Sequence, residues 1–187
     1  IKNVILIDPM KIEYVTSIPM KFKKSSKLII DFDWDKRNKL MITHEKDHHT
    51  YVACKELFVD GKKIEECKEY QFFREQIIKY KEFKNCKNDN DIIIYLNKRF
   101  KLFESIKKIG LKKNINNNIE FMIDRNYNLV KINSGNHRFS ISRILKLKKI
   151  PVEIKVIHRK CFENNLNNKI KIKQVNKIIK NIEEKYN

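Results

Sequence analysis

The chain has 187 residues, with 42 Lys plus Arg against 23 Asp plus Glu and a formal net charge of +19, a length that suits one domain with its own core. It contains no run of about eighteen apolar residues, so no transmembrane helix is expected, and no basic segment followed by an apolar core and a small-residue cleavage site, so no secretory signal is expected. The basic side chains are 35 Lys and 7 Arg, whereas base-edge readers lean on the planar fork of Arg, so the charge supports an anionic ligand without choosing between a nucleotide and a nucleic acid.

In chain order, residues 4–7 read as a short apolar strand stopped by Asp8-Pro9, and residues 27–30 as a second extended piece ending at Asp31-Phe32-Asp33-Trp34-Asp35-Lys36. From about 46 to 84 the spacing turns helical, with a break at Asp60-Gly61. The first helix carries Tyr51, Cys54, Leu57 and Phe58 on one side, and the second Ile64, Cys67, Phe73, Ile77 and Tyr80. Asn85 to Asp91 is a polar connector. A helix over about 92–109 aligns Leu96, Phe100, Phe103 and Ile106, and Gly110 is placed to stop it. Strands follow near 119–123 and 129–132, then a helix over 136–147 and a strand over 151–157. A tail helix over about 169–185 repeats Ile172, Val175, Ile178, Ile179 and Ile182. The expected whole is one α/β domain over 1–187, a small mixed sheet with helices and an α-helical insertion at about 36–95. Cys54, Cys67, Cys86 and Cys161 lie far apart without a Cys-x-x-Cys pair, as expected of reduced thiols in a cytoplasmic protein.

The segment Ser134-Gly135-Asn136-His137-Arg138 joins a strand to an amphipathic helix. Gly135 removes the Cβ where backbone must approach a ligand, and a helix start offers unpaired N–H groups and the positive end of its dipole. With donors from His137 and Arg138, such a turn suits phosphate; the plainer alternative is an exposed helix-start pair.

Two other clusters compete for chemistry. His44-Glu45-Lys46-Asp47-His48 is a His-Glu-x-x-His string, but its preceding segment makes a poor active-site helix and a third ligand is not evident, so zinc is set aside. Asp31, Asp33 and Asp35 would share one face if their segment were extended. They would then hold Mg²⁺ or position a substrate; otherwise they form an acidic turn anchored by Trp34.

Residues 102–156, from Leu102-Phe103-Glu104-Ser105-Ile106-Lys107-Lys108-Ile109-Gly110-Leu111 through Gly135-Asn136-His137-Arg138 to Ile150-Pro151-Val152, resemble the ParB/sulfiredoxin superfamily in the order of their elements. The opening Ile5-Leu6-Ile7-Asp8-Pro9-Met10-Lys11-Ile12 resembles the first strand of that fold. Asp-Trp-Asp-Lys at 33–36 and Ile157-His158-Arg159-Lys160 are similar to elements of a group of ParB-like proteins, which carries no activity over. Sulfiredoxins have a catalytic Cys where Asn136 stands, so sulfinic-acid reduction is not implied. ParB partition proteins bind CTP through Gly-Glu-Arg-Arg and continue into a helix-turn-helix region, whereas about thirty residues follow Val156 here. The free-serine kinase branch, with Asp-Gly-His-His-Arg, is the most similar, although Ser134 replaces its Asp.

The resemblance implies ATP-dependent phosphoryl transfer to a small polar acceptor, with CTP as the alternative nucleotide and Mg²⁺ as the metal. Ser134, Gly135, Asn136, His137 and Arg138 would bind the nucleotide, joined by Arg125, His158 and Arg159. Glu104, Asp33 and His137 are the catalytic candidates, Asp124 a further carboxylate, and Asp31, Asp33 and Asp35 the metal ligands. The runner-up is a ParB-like module, nuclease-like in its relatives, that holds DNA or a partner through the Lys-rich surface with nucleotide as a switch; a non-catalytic scaffold is the third reading. No membrane partner is expected.

Overall fold

In a computed structural model of the chain, residues 3–16, 28–112, 118–162 and 170–187 are described. They form a mixed α/β protein, with seven strands in one open sheet and six α-helices. The strands are β1 (Val4–Ile7), β2 (Tyr14–Val15), β3 (Ile29–Ile30), β4 (Lys39–Leu40), β5 (Ile119–Ile123), β6 (Leu129–Lys131) and β7 (Ile150–His158). The helices are α1 (Met41–Asp47), α2 (His49–Phe58), α3 (Lys68–Tyr80), α4 (Asp89–Ile109), α5 (Asn136–Ile144) and α6 (Ile172–Tyr186). The chain divides into two units. One comprises 1–44, 112–135 and 147–187, the other 45–111 and 136–146.

The first unit holds the sheet, in the order β1-β7-β5-β6-β2-β4, with β3 also paired to β7. β7 pairs antiparallel with β1 and parallel with β5 and β3. Flanked along both edges, it reads as a nearly continuous apolar run, as a strand covered on both faces must. Pro151 stands at its second residue, before the β5 pairing begins at Val152, where a missing N–H is tolerated. α6 packs against β1 and buries Val175, Ile178, Ile179, Ile182 and Tyr186. It is tied down by Leu6 N–H donating to Glu183 Oε1 at 2.9 Å and Leu129 N–H donating to the Tyr186 hydroxyl at 3.1 Å.

The second unit is helical. Phe73, Ile92 and Leu96 are fully buried with Ala53, Leu57, Cys67, Tyr70 and Cys86 around them, where α2, α3, α4 and α5 pack on one another. All four cysteines are buried and unpaired. No helix among the described residues is long and apolar enough to cross a membrane.

The elements differ from expectation at identifiable places. β2 and its edge neighbour β4 are two-residue strands, too short to leave an apolar run. α4 begins at Asp89, three residues early, because the Asn88 side chain accepts the Asp91 N–H at 3.0 Å and caps the helix inside the polar connector. α5 ends at Ile144 rather than 147, and Lys146 just beyond has a φ of 49°. The helices of the insertion belong to one unit with α5. Lys27 and Lys169, at the ends of two expected elements, lie outside the described residues.

Candidate functional site

β6 leads into α5 through Ile132-Asn133-Ser134-Gly135. Gly135 has a φ of 69°, the left-handed region that glycine enters without a Cβ penalty. Before it, Lys131 is 1% exposed, and its ammonium donates to the carbonyls of Ile132 and Ser134, the latter at 2.5 Å. A buried ammonium at the end of a strand thus closes the turn on itself. The Ser134 N–H also donates to the Ile132 carbonyl at 2.7 Å. The unit boundary follows Gly135, and Asn136 opens α5. Arg138 is half-buried on its first turn, and its carbonyl accepts the Ser142 hydroxyl at 2.7 Å.

In the helical unit, His137 has a defined partner. Its Nε2 lies 3.2 Å from both carboxylate oxygens of Glu69, whose side chain is 2% exposed. Thr50 donates its hydroxyl to the same Oε1 at 3.3 Å, and His49 Nε2 stands 3.9 Å from it. Burial opposes the charge on Glu69. The His137 hydrogen bond and the nearby His137, His49 and Lys84 charges outweigh that, holding the carboxyl below its usual range. Burial pushes His49 below the usual imidazole range, and its ring stacks on Phe72 with centroids 4.2 Å apart. An ionised carboxylate facing Nε2 accepts from it, so the Glu69 bond calls for that nitrogen to carry a proton.

Glu69 was not among the expected site residues. It lies four residues before Phe73 and eight before Ile77, so the sequence does place a carboxylate on the apolar stripe of α3, and that is its readable signal. Glu104, the carboxylate expected to act with the turn, is exposed on α4; the carboxylate bonded to His137 is Glu69.

The sheet unit gathers several of the other expected residues into a different arrangement. Arg125 donates Nε to Asp35 Oδ2 at 2.8 Å, and Nη2 to Asp35 Oδ1 at 2.6 Å and Asp33 Oδ1 at 2.8 Å. Its backbone N–H also reaches Asp35 Oδ2 at 3.0 Å. The Arg125 hydrogen bond, joined by Lys36, lowers Asp33 to about 2. At Asp35, burial works the other way, and the Arg125 hydrogen bonds prevail to hold it low. The two carboxylates raise Arg125 in return. Arg125 is therefore engaged by carboxylates rather than set as a phosphate clamp.

The expected metal set is corrected on the same grounds. The segment is not extended: Phe32 has a φ of 82°, and Trp34–Arg37 is a 3₁₀ turn. Asp31 accepts the Phe32 N–H at 3.0 Å, while Asp33 and Asp35 hold Arg125. Among the described residues no group of three or more His, Cys, Asp or Glu side chains is arranged to hold a metal ion. These residues do not fit a Mg²⁺ ligand set. The His-Glu-x-x-His string is not presented on one helix, since α1 ends at Asp47 and His48 caps α2, and Glu45 pairs with Arg143.

His158 is fully buried. Its Nδ1 accepts the Lys160 N–H at 3.0 Å and its Nε2 donates to the Phe32 carbonyl at 2.9 Å, so both nitrogens serve the fold rather than a nucleotide. Arg159 is exposed at the start of the 3₁₀ turn after β7. Asp124 is spent on the hairpin, its Oδ1 accepting the N–H groups of Asn126 and Asn128 at 2.9 and 2.8 Å.

Compared with family models, with curated proteins and with solved structures, the chain has no significant match.

Proposed function

We propose that the chain is a ParB/sulfiredoxin-like nucleotide-binding protein that transfers the terminal phosphoryl group of ATP to a small polar acceptor. The observation that carries this reading is the Glu69–His137 pair, which joins α3 to the first turn of α5. The N–H groups at the start of α5 and the Arg138 guanidinium supply donors for phosphate oxygens. Glu69 fixes the His137 ring and its tautomer, so that Nδ1 accepts the proton of the acceptor hydroxyl as its oxygen bonds to phosphorus. The bond from that phosphorus to the bridging oxygen breaks, and ADP leaves with the electron pair. Asp33 has no part in this scheme, and no step is assigned to a metal.

A thermal-shift panel of ATP, CTP, GTP and ADP with Mg²⁺ tests the reading, because a ligand bound only by the folded state raises its stability. ATP or CTP is expected to raise Tm, followed by ADP formation that depends on an added hydroxyl compound. The high positive charge favours a second reading, a DNA- or partner-binding module. Duplex binding that is lost on Lys substitution but kept in Arg138→Ala, with no nucleotide shift, would transfer the assignment to it.

A further inference from the structure

The helical unit contains a cationic cluster outside the Glu69–His137 pair. Tyr95 is its hub: the Arg99 guanidinium lies 4.4 Å from the ring centroid, the Lys84 ammonium 5.9 Å, and the His137 ring centroid 6.2 Å. Lys84 also stands over Phe73 at 5.1 Å and Phe83 at 5.4 Å. The backbone is bent to put it there. Phe83 and Cys86 exchange both N–H···O bonds, at 3.0 and 2.9 Å, across a two-residue hairpin turn in which Lys84 and Asn85 have φ of 50° and 64°. Such a turn prefers Asn-Gly, and a lysine held in the left-handed region is a strained choice of the kind retained at functional sites.

Charge in this cluster is unbalanced. Glu69 is the carboxylate near Lys84, and both of its oxygens face His137. The Nε of Arg99 is buried and has no hydrogen-bond partner among the described residues. An anion beside Lys84 and Arg99, the latter also hydrogen-bonded to Tyr95, would offset two cations at once.

We propose that Lys84 and Arg99, set around Tyr95 beside His137, form an anion subsite that takes a phosphate group of a small phosphorylated ligand. That the ligand is the phosphate donor rests on the phosphoryl-transfer reading; that an anion binds here does not.

The test is calorimetric titration of inorganic tripolyphosphate into the full chain at fixed ionic strength, for the parent and for Lys84→Gln, Arg99→Gln and Lys79→Gln. Lys79 is exposed and lies over Tyr80, so its variant matches the loss of charge alone. The first two variants are expected to bind about tenfold or more weakly, with a double variant less than additive, and Lys79→Gln within about twofold of the parent. Lys84→Arg, which keeps the cation, is expected to retain binding, and melting curves separate loss of the site from loss of the fold.

Equal weakening in Lys84→Gln and Lys79→Gln, or none in either, overturns the proposal. So does a parent that binds a 20-base-pair duplex through Lys84 but no tripolyphosphate. Weakening confined to Arg138→Ala leaves the phosphoryl-transfer reading standing without this subsite. Weakening in Lys84→Gln and Arg99→Gln with no ATP turnover by the parent leaves the subsite standing without that reading.

Discussion

Nε2 of His137 is 3.2 Å from each oxygen of Glu69, a carboxylate buried to within 2% of full enclosure. A hydrogen bond to a charged group of this kind contributes about 1.5–3 kcal/mol. Glu69→Gln is therefore expected to lower unfolding free energy by that amount in urea titrations. It should also reduce turnover more than nucleotide affinity, because it removes the charge that fixes the His137 tautomer. A variant of parental stability and turnover would show that the pair is idle.

The same pair sets an acid limit on the fold. The folded-state carboxyl of Glu69 sits below its ordinary value of 4.5, so the unfolded chain binds the proton more readily. Its stabilisation is present above about pH 4.5 and is lost as pH falls through the lower folded value. His49, also lowered from its ordinary 6.5, follows the same sign, with stability lost as pH falls from about 6.5. Melting temperature is expected to decline below about pH 6.5 and to steepen below about 4.5. In Glu69→Gln the lower limb should flatten.

Asp33 and Asp35 hold the same guanidinium but differ in exposure, 62% against 3%. Asp35→Asn leaves Arg125 without its enclosed partner and is expected to lower Tm by on the order of 5 °C. Asp33→Asn, at a solvated position, should change Tm by about a degree or less and leave turnover unchanged. A large loss of turnover in Asp33→Asn at parental Tm would restore that carboxylate to the chemistry.

Phe73 is fully buried and meets Phe83 at 5.0 Å and Tyr95 at 4.9 Å between centroids. Phe73→Ala is expected to cost about 3–5 kcal/mol, read from denaturant unfolding. An unchanged midpoint would mean that the helical unit adds nothing to cooperative stability.

Sequence legibility followed the physics of each element. β1, β5, β7 and α6 could be read because their apolar residues recur at one period and Asp8-Pro9 or Pro151 punctuates them. The turn before α5 is legible from Gly135, whose φ of 69° is one that few other residues adopt, whereas a phosphate role for 134–138 leans on His137, Arg138 and the order of the flanking elements. The partners of that turn were not legible. Glu69 comes from a helix about seventy residues upstream, and period counting treats a polar residue on a buried stripe as noise. Asp31, Asp33 and Asp35 misled for the opposite reason: alternation implies a shared face only in extended backbone, and Phe32 leaves that region. Arg125 and His158 read as donors to a nucleotide, whereas their acceptors lie about ninety and more than a hundred residues away in sequence.

The central claim is that the start of α5, at Asn136, His137 and Arg138, receives a nucleotide phosphate. Titration calorimetry of ATP into the parent and into Arg138→Ala tests it most directly. The account predicts saturable binding by the parent and an affinity about ten- to a hundredfold weaker in the variant, the worth of one charge-assisted hydrogen bond, at equal melting temperature. Equal affinities for the two proteins, or no binding of ATP or CTP by the parent, would contradict it.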